Sequence, residues 1–128
     1  MKLKVDVQFA DKNGIQRHRT IELNQDSCLI GRGTSDIVIL DPKCSLHHVI
    51  LFEDEAGNLN LVDLRSTNGT LLNGNRVVKK DMNIGDVLNI GDTTIRLLEF
   101  TPKYRVGGAE NDLTKWEFPL INYKETAS

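Results

Sequence analysis

Leu3, Val5, Val7 and Phe9 alternate with Lys2, Lys4, Asp6 and Gln8, a period of two that gathers the apolar set on one face of an extended strand. Residues 2–9 are therefore expected to open a sheet. Asn13-Gly14 supplies a turn with positive φ, and 19–23 resumes as a second strand with Ile21 and Leu23 inward, which makes a hairpin. The same grammar continues through 28–31, 37–40, 48–53 and 59–63, each bounded by Gly, Asp, Asn, Pro or Ser. Beyond residue 69 it gives 70–72, the turn Asn73-Gly74, 76–78, 87–90, the turn Gly91-Asp92 and 93–100. These ten short strands predict an all-β sandwich and not a βαβ array. Within 93–100, Ile95 and Leu97 share one parity while Leu98 and Phe100 take the other, so a bulge or burial on both faces is expected there. No helix longer than a turn and no long internal repeat is legible.

After Phe100 the texture changes. Thr101-Pro102, Gly107-Gly108 and Glu110-Asn111-Asp112 mark the end of the compact domain near residue 101. We read 1–101 as one domain and 102–128 as a C-terminal tail or linker. Trp116, Phe118 and Leu120 alternate within that tail, so docking on the sandwich, as an edge strand up to Pro119, is an alternative to a free linker.

Length and composition narrow the function. A chain of 128 residues is the size of one domain with one core. With 39% hydrophobic and 27% charged residues and a formal net charge of −2, it reads as an ordinary globular domain. Lys and Arg (16) are outnumbered by Asp and Glu (18) and well mixed with them, so no basic stripe for nucleic acid exists. Cys28 and Cys44 lie in no zinc spacing and are expected to be buried and reduced. No signal peptide and no apolar run long enough for a membrane span is seen, so the expectation is an intracellular, by default cytoplasmic, protein, with the nucleus left open. The glycosylation pattern Asn68-Gly69-Thr70 is then read as accidental.

A sandwich places its chemistry where strands end. Three loops gather Gly, Ser, Thr, Asn and Arg: Gly31-Arg32-Gly33-Thr34-Ser35, the stretch from Asp41 to His48, and Asp63-Leu64-Arg65-Ser66-Thr67-Asn68-Gly69-Thr70. Arg32, between glycines, can present its planar fork to an oxyanion. His47 and His48 point to opposite sides of an extended segment and lack companion ligands, so a metal site is set aside. One of the two is expected to brace the loop and the other to be exposed. Ser45 with His48 has no third member for nucleophilic catalysis, and no phosphate-binding glycine loop of nucleotide type occurs. The residues point to a binding module and not an enzyme. Gly69 suits a left-handed turn in the third loop.

Taken together, Gly31-Arg32, Ser45-x-x-His48, DLRSTNGTLLNG (63–74) and IGDVLNIG (84–91) resemble the forkhead-associated (FHA) domains, which are phosphothreonine-binding β-sandwiches. The resemblance spans about residues 20–100 and implies an FHA-like sandwich of about eleven short, mostly antiparallel strands. It implies that Arg32 contacts the phosphate, that Ser45 donates its hydroxyl to it, that Thr67 contacts the phosphorylated residue and its γ-methyl, and that Asn68 holds the peptide backbone just beyond. Gly31, His48 and Gly69 would brace the loops. Leu46 departs from the family pattern, which often has Arg, Lys or Asn there, so a phosphate contact would be missing. Lys43, Leu46 and Arg65 are candidate readers of flanking residues. The implied partners are phosphothreonine-containing proteins and an upstream Ser/Thr kinase, with no cofactor, nucleic acid or membrane insertion. Two alternatives stay open: a phosphate-independent scaffold of the same fold, and an autoregulatory module binding its own tail phosphorylated at Thr101, Thr114 or Thr126.

Overall fold

A computed structural model describes residues 1–103. Among them lie eleven strands and no helix: β1 (Lys2–Ala10), β2 (Gln16–Asn24), β3 (Ser27–Gly31), β4 (Ile37–Val38), β5 (Val49–Glu53), β6 (Leu59–Asp63), β7 (Leu71–Leu72), β8 (Asn75–Arg76), β9 (Lys79–Met82), β10 (Val87–Ile90) and β11 (Thr93–Thr101). They form a six-stranded sheet, β2-β1-β11-β10-β7-β8, and a five-stranded sheet, β4-β3-β5-β6-β9. Only the β3–β4 pair is parallel.

Alternation builds the core. Leu3, Val5 and Val7 of β1, Leu88 and Ile90 of β10, and Ile95 and Leu97 of β11 turn inward from one sheet. Cys28, Ile30, Val49, Leu51, Leu59 and Leu61 meet them from the other. Each fully buried Leu or Ile contributes about 1.5–3 kcal/mol relative to exposure, so this two-faced seam is the main source of stability. Cys28 and Cys44 are buried free thiols, and burial pushes them up to about 12 and about 11 respectively, with Asp36 adding to the first.

The expected parity break in the last strand is a bulge. Lys4 pairs with Glu99 and Val5 with Leu97, which leaves Leu98 as the extra residue and returns Phe100 to the core face opposite Leu3. Asn73 and Gly74 both have positive φ, 51° and 85°, the two-residue hairpin turn that their sequence predicts.

Differences from the expected strands have local causes. β2 begins earlier, at Gln16, because β1 runs on to Ala10 and pairs with it there. β4 stops at Val38 because its partner β3 ends at Gly31, and Leu40 beyond it is 83% exposed. The segment at 76–78 is instead Asn75–Arg76, since the tight turn fixes the register Leu72↔Asn75. β9, Lys79–Met82, was not expected: Lys79, Lys80 and Asp81 are exposed and only Met82 enters the core.

Thr101 closes β11 opposite Lys2. Just beyond it, the Lys103 backbone N–H donates to Glu53 Oε1 at 2.7 Å, and its ammonium lies 3.7 Å from Asp26. The expectations for Trp116, Phe118 and Leu120, for tail docking, and for Thr114 and Thr126 lie outside the described residues. Among the described residues no helix is long and apolar enough to cross a membrane.

Candidate functional site

Three inter-strand segments meet at one end of the sandwich, and polar side chains fasten them to each other. Arg32 follows β3 directly. Its backbone N–H donates to Ser45 O at 2.9 Å and its Nε to Cys44 O at 2.9 Å, while the Gly33 N–H donates to Leu46 O at 3.0 Å. The guanidinium is thus anchored by one nitrogen, with both terminal amino groups left for a ligand. Gly31 is required by space: a Cβ there would overlap the Leu46 carbonyl oxygen.

His48 is the buried brace. Its Nδ1 accepts the Ser45 N–H at 2.9 Å and its Nε2 faces Gly69 O at 2.9 Å. A backbone N–H can only donate and a carbonyl can only accept, so the proton sits on Nε2. Its own backbone joins in: its N–H donates to Ile30 O, and its carbonyl accepts from Leu64 N. His47 is exposed. Among the described residues no group of three His, Cys, Asp or Glu side chains converges on a metal position.

The second and third loops also meet directly. The Thr67 N–H donates to Ser45 Oγ at 3.1 Å, which uses a lone pair of that hydroxyl and leaves its proton to be given elsewhere. Asn68 Nδ2 donates to Lys43 O at 2.9 Å, leaving its Oδ1 and a second N–H. Arg32, Ser45, Thr67 and Asn68 therefore belong to one connected rim. Thr67 and Asn68 are exposed, and Gly69 carries a φ of 85°.

Two carboxylates not singled out from the sequence hold this rim in shape. Asp63 accepts from Ser66 N at 2.8 Å, Ser66 Oγ at 2.6 Å and Thr70 Oγ1 at 2.6 Å. Burial opposes its ionisation, but the donors from Ser66 and Thr70 outweigh this and hold the carboxyl below its ordinary range. Asp41 accepts from Lys43 N, Asp92 N and Thr93 Oγ1 at 2.9, 2.8 and 3.1 Å, tying the second loop to the β10–β11 turn. Its carboxyl is likewise lowered against the cost of burial. The available signal was an Asp opening a loop rich in Ser, Thr or Asn, the pattern of a side chain that caps its own turn.

The three candidate readers of flanking residues differ. Lys43 Nζ pairs with Asp92 at 3.3 Å, both exposed. Leu46 is 56% exposed, and its side chain lies against Gly33 beside Arg32. Arg65 is exposed and has φ 59°, a left-handed conformation uncommon outside glycine. Arg76, also not singled out from the sequence, places its guanidinium against Gly69.

The inter-strand loops of this β-sandwich are thus pinned into one rim that carries the Arg32 guanidinium and the Ser45 and Thr67 hydroxyls. The FHA domain family model matches residues 28–91, and the chain belongs to that family. It is 36% identical over 106 residues to the ABC transporter ATP-binding/permease protein Rv1747 of Mycobacterium tuberculosis, covering 76% of this chain and 12% of that protein. The chain therefore spans only a small part of that relative's length. A solved FHA domain from a structural and functional analysis of phosphothreonine-dependent FHA domain interactions is 31% identical, with a TM-score of 0.62, covering 77% of this chain and 98% of that one. The FhaA FHA domain, crystallised with the intracellular domain of Rv3910, is 33% identical with a TM-score of 0.59, covering 73% and 98%.

Proposed function

We propose that the chain is a non-catalytic module that binds phosphothreonine-containing protein segments in an extended form across this rim, downstream of a Ser/Thr kinase. The observation that carries the reading is the half-satisfied state of the rim. Arg32 is held by Nε on Cys44 O, Ser45 Oγ accepts from Thr67, and Asn68 Nδ2 is fixed on Lys43 O. Each side chain is positioned by one bond and keeps donors or acceptors for a ligand. Such preorganisation spares the side-chain ordering that binding otherwise costs.

A phosphate monoester carries about −1.5 to −2 charge and three acceptor oxygens. The Arg32 guanidinium meets it with charge-assisted N–H donors, and the Ser45 hydroxyl gives it a third. Thr67 packs against the γ-methyl of the phosphothreonine, and Asn68 holds the peptide backbone just beyond. Leu46 gives no hydrogen bond, so the anion is bound by fewer donors than in family members with Arg, Lys or Asn there. The phosphothreonine dependence of the similar FHA domain's interactions supports phosphothreonine as the ligand.

Calorimetric titration with phosphothreonine peptides tests these roles. A hydrogen bond to a charged group is worth about 1.5–3 kcal/mol, so Arg32→Ala is expected to weaken phosphopeptide binding at least about 10-fold and Ser45→Ala by a similar or smaller factor. Unchanged affinity in Arg32→Ala rules out its assigned role.

A further inference from the structure

Arg76 ends β8, where it pairs with Leu71 across the tight hairpin. The segment after it is tied down by the Val77 N–H, which donates to Thr70 O at 3.1 Å. A Cβ placed on Gly69 would stand 2.8 Å from Arg76 Cζ, 2.9 Å from Nη2 and 3.1 Å from Nε. Near-equal distances to three atoms of one planar group mean that the guanidinium lies face-on to Gly69. Its N–H bonds lie in the guanidinium plane and so are not aimed at Gly69. Gly69 serves two ends here: it takes a φ of 85°, and it leaves room for the flat group above it.

The charge of Arg76 is uncommitted. It is exposed, and among the described residues it makes no ion pair and no side-chain hydrogen bond. Lys43, by contrast, is engaged by Asp92, and Arg17 by Asp11. The acid nearest in the third loop, Asp63, is taken up by Ser66 and Thr70. A guanidinium lying against Gly69, the residue that follows Asn68, and without an anion among the described residues, lacks a partner that a ligand can supply.

We propose that Arg76 reads an anionic side chain of the bound peptide, a carboxylate or a second phosphate, on the side of the phosphothreonine held by Asn68. The chain then prefers acidic or doubly phosphorylated segments over neutral or basic ones. This deepens the phosphothreonine reading and rests on it.

The test is a titration of the full chain with phosphothreonine peptides in an alanine background. Asp, phosphoserine or Lys replaces one alanine at a time at each flanking position, and each peptide is measured against the parent chain, Arg76→Gln and Arg76→Lys at two salt concentrations. One position is expected where Asp tightens binding roughly 5-fold and phosphoserine roughly 10-fold or more, both gains shrinking with salt. The gain is expected to vanish in Arg76→Gln and to survive in part in Arg76→Lys, which keeps the charge and loses the planar fork. Thermal unfolding checks that Arg76→Gln is folded; should it not be, the drop from parent to Arg76→Lys in the phosphoserine gain is the readout. Equal binding of Asp and Ala peptides at every position overturns the proposal and leaves phosphothreonine reading intact. An acidic preference that persists undiminished in the variants also overturns it. Failure to bind any phosphothreonine peptide removes both readings together.

Discussion

Asp63 shows how a half-buried charge shapes a site it does not enter. Its two oxygens take three short hydrogen bonds from Ser66 and Thr70, so the loop that carries Thr67 and Asn68 is wound around a carboxylate. Burial works against that charge and the donors work for it, with the net effect of lowering the carboxyl below its ordinary 3.8. The linkage sign follows: a depressed folded value gives stability that is complete above the unfolded value and is lost as pH falls through the folded one. Four more carboxyls are lowered: Asp11 first by the Arg17 guanidinium, Asp36 by the Leu29 N–H and the Gln25 side chain, Asp41, against the cost of burial, by the Lys43 and Asp92 N–H groups, and Asp54 by the Asn58 N–H and the Asn60 side chain. We therefore expect stability, measured by urea unfolding, to be flat above about pH 5 and to fall below about pH 4. In Asp63→Asn the acid limb is expected to be shallower and stability at pH 7 about 1–3 kcal/mol lower, because at least one donor loses its charged acceptor. An unchanged acid limb would show that this carboxylate does not hold the loop.

The junction of β3 with the loop that follows it depends on a glycine of ordinary φ. Gly31 faces the Leu46 carbonyl so closely that any side chain must part the two segments, and those segments carry Arg32 and Ser45. Gly31→Ala is expected to cost about 1–3 kcal/mol in chemical denaturation and to weaken phosphopeptide binding, since the strain falls on the rim itself. Most strands were legible because their inward residues alternate, and β6 and β10 fall at 59–63 and 87–90, where the pattern puts them. β9 was not legible, because an edge strand with a single core residue, Met82, carries no alternation to read; its exposed Lys79 and Lys80 also discourage further pairing at that edge. That one of His47 and His48 braces the loop was readable from the residues, and the resemblance to FHA domains pointed to His48. Asp63 carried a local signal, an Asp opening a loop rich in Ser and Thr, and its partners Ser66 and Thr70 lie in that same loop. The tie of Asp41 to Asp92 and Thr93 and the place of Arg76 against Gly69 were not legible, because those contacts cross between segments that no local pattern relates.

At the scale of the whole molecule, two sheets share one apolar seam and leave their polar work to one end. Asp41 binds the β10–β11 turn at that end, while β11 runs the length of its sheet and finishes at Thr101 beside Lys2. Lys103 then meets Glu53, the last residue of β5, whereas the rim lies just before the first, Val49. The last described residue, Lys103, therefore lies at the end of β5 opposite the rim. The most direct measurement is a calorimetric comparison of one peptide in three forms, phosphothreonine, phosphoserine and unphosphorylated, against the intact chain. Measurable binding of the phosphothreonine form, with the phosphoserine form weaker and the unphosphorylated form silent, is the expected result. Equal binding of the phosphorylated and unphosphorylated forms, or binding of neither, would contradict it.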